Sequence, residues 1–212
     1  MNIDINKLKK QWIYELQKRI FDCLASVIGL IILSPFFLIM AILIKLDDPK
    51  GPVFYAQERV GKNEKKFKMF KFRSMVSNAD ELLQDLIDKN EVTGAMFKLK
   101  SDPRITRVGR VIRKYSLDEL PQLLNVVSGS MSLVGPRPPL VGEVAQYSEH
   151  DLQRLLVKPG CTGMWQVGGR NDVDFDEMVK LDLNYINNRS IWLDLKIIIQ
   201  TVGVIIKPNG AY

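Results

Sequence analysis

IFDCLASVIGLIILSPFFLIMAILI, residues 20–44, decides how this chain is built. Asp22, near its start, is the run's only charge. At 1.5 Å per residue the run makes about 37 Å of helix, enough to cross a hydrocarbon core of roughly 30 Å. It is longer than a signal-peptide core and has no convincing small-residue cleavage site, so a secretory leader is not expected. Ser34-Pro35 interrupts it. Proline removes a backbone donor and crowds the preceding turn, which predicts a sharp bend and two halves of about 15 and 9 residues, each too short to span alone. Two architectures follow: a kinked spanning helix, or a re-entrant helix that enters and leaves on one face. Lys18 and Arg19 precede the run and Lys45 and Lys50 follow it. Placing both basic flanks on the cytoplasmic side satisfies the positive-inside tendency, which favours the re-entrant form.

Outward from this run, residues 1–19 read as a basic, helical lead-in. Asp47-Asp48-Pro49-Lys50-Gly51-Pro52 is turn chemistry that closes the membrane segment. The division is therefore 1–48 for the lead-in and membrane helix, and 49–212 for the rest. VFYAQERVG and KFKMFKFRSM, separated by a polar turn, predict a β-hairpin. Period-two geometry sets Lys71 and Arg73 on one face and Phe70 and Phe72 on the other. Residues 77–89 predict an amphipathic helix with Asn78 as cap and Leu82, Leu83, Leu86 and Ile87 as its apolar stripe. The tail from Ser190 is apolar but broken by Asp194, Lys196 and Gln200, so it reads as an interfacial helix with Trp192 at the headgroup boundary. Together these predict an α+β, mainly helical fold.

Apolar residues make up 46% of the 212 and charged residues 25%, which suits a folded domain. A net charge of +6 points to anionic partners, and composition alone admits nucleic acid, acidic lipid or phosphorylated metabolites. Two cysteines, Cys23 and Cys161, and one histidine, His150, are too few for a disulfide framework or a zinc site of the usual type. Any metal would be a hard cation held by oxygen, which suits Mg²⁺.

The candidate chemistry lies in SLDELPQLLN, residues 116–125. Asp118 and Glu119 stand between apolar residues, and Arg104, Arg107, Arg110 and Arg113 lead in at three-residue spacing, which on a helix opening at Pro103 makes a cationic strip. A following helix is expected to turn Leu120, Leu123, Leu124 and Val127 inward. Two carboxylates within cations suit phosphoryl transfer: the acids attack or hold a metal and the arginines neutralise phosphate oxygens. The competing reading is an acidic pair balanced by surface arginines. Gly135-Pro136-Arg137-Pro138-Pro139 restricts the backbone around Arg137. KPGCTGMWQVGGR, residues 158–170, is glycine-rich without the spacing of a nucleotide-binding fingerprint.

Taken together, KRIFD at 18–22, Ser34-Pro35, GPVFYAQERVG at 51–61, KMFKFRSM at 68–75, SDPRITRVGRVIRKYSLDELPQLLNV at 101–126, GSMSLVGPRPPL at 129–140 and KPGCTGMWQVGGR at 158–170 resemble the bacterial sugar transferases, the monotopic phosphoglycosyl transferases. The resemblance implies a monotopic enzyme on the cytoplasmic face of the bacterial inner membrane. It would move a sugar-1-phosphate from a UDP-sugar to undecaprenyl phosphate, releasing UMP and starting exopolysaccharide or capsule synthesis. It implies a re-entrant helix broken at Ser34-Pro35. Asp118 becomes the nucleophile and a Mg²⁺ contact, and Glu119 an assistant in proton transfer or metal placement. Arg113 and Arg137, with Lys71 and Arg73, become phosphate or substrate contacts. Membrane lipid is a partner, nucleic acid is not, and a homodimer is admitted. Larger members carry further N-terminal spans and a domain that this chain lacks, so it looks like the minimal catalytic form. The character of the tail resembles members using UDP-glucose or UDP-galactose; N-acetylated or deoxy sugars are the alternative. A basic membrane scaffold without catalysis is the alternative of another class.

Overall fold

The computed structural model describes residues 3–84, 99, 102–168 and 174–206. The later part of the helix expected at 77–89, including Leu86 and Ile87, the loop at Gly94, Gly169-Arg170 and the last six residues lie outside them.

A short basic helix, α1 (Ile5–Lys10), is capped by Asp4, whose carboxylate accepts from the N–H groups of Asn6 and Lys7. It leads into α2 (Trp12–Asp47), long and apolar enough to cross a membrane. Pro35, where the sequence predicts a bend, lies inside this helix. It cannot donate to the carbonyl of Ile31, and the Ser34 hydroxyl donates to it instead, at 2.8 Å.

Both flanks of α2 are tied to the folded body. Near its start Lys18 pairs with Asp194 at 2.9 Å, Asp22 accepts from the Ser132 hydroxyl at 2.6 Å, and Arg19 donates to the carbonyls of Val126 and Val127. Near its end Met40 and Ile44 pack with Phe72 and Ile112, and Asp47 accepts from the N–H of Val108 at 2.8 Å. Between these flanks the helix presents Ile28, Ile31, Ile32, Leu38 and Ile39 outward, with Ile32 70% exposed.

The hairpin forms as expected, β1 (Phe54–Val60) antiparallel to β2 (Lys66–Phe72), with Phe54 opposite Phe72 and Val60 opposite Lys66. Phe72 is buried against Phe37 of α2, ring centroids 5.0 Å apart. After the described turn of α3 (Ala79–Gln84) comes α4 (Arg107–Lys114), capped by Thr106, whose hydroxyl accepts from the N–H of Gly109. Gly109 looks like a weak point by helix propensity, yet a Cβ there would collide with the Ser74 carbonyl; α4 lies too close to the end of β2 for a side chain.

The chain then forms α5 (Gln122–Ser128), β3 (Ser132–Val134), α6 (Val141–Val144), α7 (Glu149–Leu152), β4 (Gly160–Thr162) and α8 (Met164–Gly168). The last two helices are α9 (Phe175–Asn188) and α10 (Ile191–Ile206). Strands β3 and β4 pair in parallel, and Val134, Val157, Val179, Leu183, Ile186 and Ile197 form the main core beneath them. Helix α10 buries Ile197 and Asp194 on one side and leaves Trp192, Ile199 and Val202 exposed, the two-faced character expected of it. Asp194 also accepts from Tyr14 and Tyr185, at 2.9 and 2.7 Å.

Helix α5 departs from expectation. Its buried positions are Gln122, Asn125 and Val126, while Leu124 is exposed. Asn125 explains this. Its amide accepts from the N–H of Phe70 at 2.9 Å and donates to the carbonyl of Lys68 at 2.7 Å, standing in for a third strand beside β2. Met69, Val126 and Met131 pack around it.

Candidate active site

Asp118 and Glu119 fall in a single 3₁₀ turn, Leu117–Glu119, between the end of α4 and the start of α5. The turn is entered through Ser116 at φ +54°, a left-handed conformation that costs a non-glycine residue about 1 kcal/mol or more. Reversing the chain there sends both carboxylates towards the hairpin. Asp118 is 8% exposed, and Lys71 of β2 reaches Glu119 at 2.7 Å.

The two carboxyls are shifted in opposite directions. Burial, and then repulsion from Glu119, push Asp118 up to about 6, with Lys71 and Arg113 acting in the other direction. Burial also opposes ionisation of Glu119, but Lys71, with Arg137 and Arg59 beyond it, holds its carboxyl below the usual range. The environment thus favours the charged form of Glu119 and opposes that of Asp118, a separation typical of paired carboxylates with different tasks.

The predicted arginine strip does not form. Arg104 precedes α4 and its guanidinium is buried against Asp102, at 2.7 Å. Arg107 and Arg110 are exposed, and Arg113, at the end of the helix, is the one whose charge bears on Asp118. Arg73 is also committed elsewhere. It is buried and donates to the Asp48 carboxylate at 2.8 Å and to the Asp48 carbonyl, closing the turn that leaves α2. Ser34 and Pro35 are exposed in the middle of α2. The structure therefore groups Lys71, Arg113 and Arg137 around the acids.

Arg137 lies 3.5 Å from Glu143 and its guanidinium sits over the Trp165 ring, 5.8 Å from the centroid. The family model described as bacterial sugar transferase matches residues 13–208. The chain belongs to the bacterial sugar transferase family. This sugar transferase is 49% identical over 195 residues to a galactosyl transferase, CpsE, of Streptococcus agalactiae, covering 92% of this chain and 43% of that protein. It is 48% identical over 199 residues to the undecaprenyl-phosphate galactose phosphotransferase of Salmonella typhimurium, at 92% and 41% coverage. It is 44% identical over 199 residues to the exopolysaccharide production protein ExoY of Rhizobium meliloti, covering 92% and 88%. The chain thus spans less than half the length of the first two relatives and most of the third.

The sequence did not single out Arg59 as a site residue in this sugar transferase. It is buried at the end of β1, donates to the carbonyl of Pro138 at 3.0 Å and to Gln57 at 2.8 Å, and bears on Glu119. Burial and the neighbouring Arg137 pull it down to about 10. Its signal was an arginine two residues from Gln57 on the inward side of a strand, where alternation alone reads as a solvated charge.

Asp118 and Glu119 are the oxygen donors that a Mg²⁺ ion would use here. Among the described residues no group of three or more Asp, Glu, His or Cys forms a metal cluster. Mg²⁺ does not need one: it commonly takes one or two carboxylates and fills its remaining positions with water and substrate phosphate. A divalent cation there would offset both the burial and the repulsion from Glu119 that oppose ionisation of Asp118.

Proposed function

We propose that this chain transfers a sugar-1-phosphate from a UDP-sugar to undecaprenyl phosphate, with UDP-galactose the first substrate to try. The observation that carries the reading is the buried Asp118 beside Glu119, with Lys71 2.7 Å from Glu119 and the charges of Arg59, Arg113 and Arg137 bearing on the pair. That arrangement suits attack on an anionic phosphorus. A carboxylate oxygen of Asp118 forms a bond to the phosphorus that carries the sugar; the bond to the bridging oxygen breaks and UMP leaves with the electron pair. A phosphate oxygen of undecaprenyl phosphate then attacks the same phosphorus and releases the Asp118 carboxylate, giving the diphosphate-linked lipid. Splitting the reaction lets a soluble donor and a lipid acceptor react in turn at one place. The cations offset the charge that otherwise repels a carboxylate from a diphosphate. Mg²⁺ held by Asp118 and Glu119 would supply further neutralisation on the phosphate oxygens. Galactose is favoured by the names of two relatives at 48% and 49% identity, glucose by the character of the tail.

The same reading makes α2 re-entrant and the protein monotopic on the cytoplasmic face. Its support is that both flanks of α2 are bound to one folded body, Lys18, Arg19 and Asp22 at one end and Asp47 and Asp48 at the other. A simple span would separate those flanks by the bilayer.

The test is UMP release from a panel of UDP-galactose, UDP-glucose and their N-acetylated forms, with undecaprenyl phosphate and Mg²⁺. Release with at least one donor, dependent on the lipid phosphate for turnover and lost in Asp118→Asn, is expected. Full turnover by Asp118→Asn would overturn the assignment of the nucleophile.

A further inference from the structure

Four consecutive carbonyls, from Pro136 to Pro139, each accept a hydrogen bond. Three of these residues are prolines, so the run's one N–H is that of Arg137, directed at Asp182, and its other backbone bonds are made through acceptors. The N–H of Gly160 donates to Pro136 at 2.9 Å, Arg59 to Pro138 at 3.0 Å and the N–H of Val60 to Pro139 at 3.0 Å. The remaining carbonyl, that of Arg137, accepts from Arg154 at 3.4 Å.

Arg154 comes from the 3₁₀ turn after α7 and is among the largest fully buried side chains. Its Nε donates to Asp182 of α9 at 2.8 Å, its Nη2 lies 2.7 Å from the same carboxylate, and its Nη1 donates to the Tyr147 hydroxyl at 2.7 Å. Both charged side chains are 1% exposed. A pair so deeply buried gives little net stability over a hydrophobic pair of the same volume, because desolvation offsets the attraction. What a planar guanidinium adds is direction: its donors are fixed relative to one another. Here they join α9, the Tyr147 turn and the backbone at Arg137.

We infer that Arg154, oriented by Asp182, is a positioning residue that fixes the backbone at Arg137 and so holds the Arg137 guanidinium beside the acidic pair. The inference rests on the reading of Arg137 as a phosphate contact. Among the described residues its guanidinium meets Glu143 at 3.5 Å and the Trp165 ring, both loose contacts, so the main chain carries much of the constraint on where it points.

The test is a mutant cycle. Arg154→Met with Asp182→Leu removes the buried pair while keeping volume; Arg154→Lys keeps the charge and loses the fork. Each is made with Arg137 and with Arg137→Ala. UMP release is measured with UDP-galactose and with UDP-glucose, and the Kd for UMP is measured alongside. The Met/Leu swap is expected to melt within a few degrees of the parent and to lose tenfold or more in kcat/KM, since a displacement of about 1 Å at a positioned group is worth that much. On the Arg137→Ala background the same swap should cost less than threefold, as expected of residues acting through one another. Equal losses on both backgrounds would overturn the inference while leaving Arg137 a contact, as would unchanged kinetics and UMP binding in both Arg154 variants. Full activity of Arg137→Ala itself would overturn the reading of Arg137 and the inference with it.

Discussion

Asp118→Asn should abolish turnover and at the same time make the protein more stable at neutral pH. Its carboxyl titrates at about 6 in the fold against 3.8 unperturbed, a difference of about two units, or about 3 kcal/mol. The folded state therefore binds the proton more tightly than the unfolded chain. Stability is full below pH 3.8, declines as pH rises through the interval to about 6, and above it the protein carries the whole penalty of a buried, repelled carboxylate. Asparagine keeps the shape and removes the charge. The gain at pH 7.5 has an upper limit of about 3 kcal/mol, and less where the amide lacks partners; at roughly 2–4 °C per kcal/mol this is a rise of several degrees in Tm. At pH 4 the parent is mostly protonated and the difference should nearly vanish. The assay is thermal unfolding of both proteins in one detergent, without Mg²⁺, at pH 7.5 and pH 4. A variant that melts below the parent at pH 7.5, or whose advantage is the same at both pH values, would refute the argument that burial and Glu119 hold Asp118 poised.

Other residues give their own expectations. Asn125→Leu strips the N–H of Phe70 and the carbonyl of Lys68 of their partner, and should cost about 2–3 kcal/mol in unfolding free energy although a larger apolar group enters the core. Ser34→Ala leaves the Ile31 carbonyl without the donor that Pro35 cannot provide; a loss of about 1 kcal/mol is expected in detergent, with greater susceptibility to proteolysis, and Ser34→Thr should restore the parent behaviour.

The hairpin and the two-faced final helix were legible in the sequence because β-rich alternation and an apolar run broken by charge are backbone-scale patterns that tertiary contacts rarely override. The acidic pair stands out in the sequence, but its contact with Lys71 does not: strand alternation sets Lys71 and Arg73 on one face, and only the fold sends one to Glu119 and the other to Asp48. What the sequence hid is partner choice. Arg104 and Arg73 belong to the same basic series as Arg113 and Lys71, yet Asp102 lies two residues from one and the turn after α2 delivers Asp48 to the other. Nothing in spacing says which arginine is spent on structure. The inward face of α5 was misread for a related reason. Helical periodicity ranks leucine as core, whereas this face meets the open edge of a strand and needs the amide of Asn125 more than an apolar side chain. Arg59 escaped because a buried cation on a strand has no local signature; only the carbonyl of Pro138, far along the chain, explains it.

Everything proposed for this site turns on whether Asp118 carries the sugar phosphate. The protein is incubated with UDP-galactose or another accepted donor in the absence of lipid acceptor, quenched in acid and digested, and the peptide containing residues 116–125 is examined by mass spectrometry. A phosphohexose adduct on Asp118 is expected, formed together with UMP, absent from Asp118→Asn and discharged by undecaprenyl phosphate. UMP formed only when donor and acceptor are both present, with no adduct on this peptide, would contradict it.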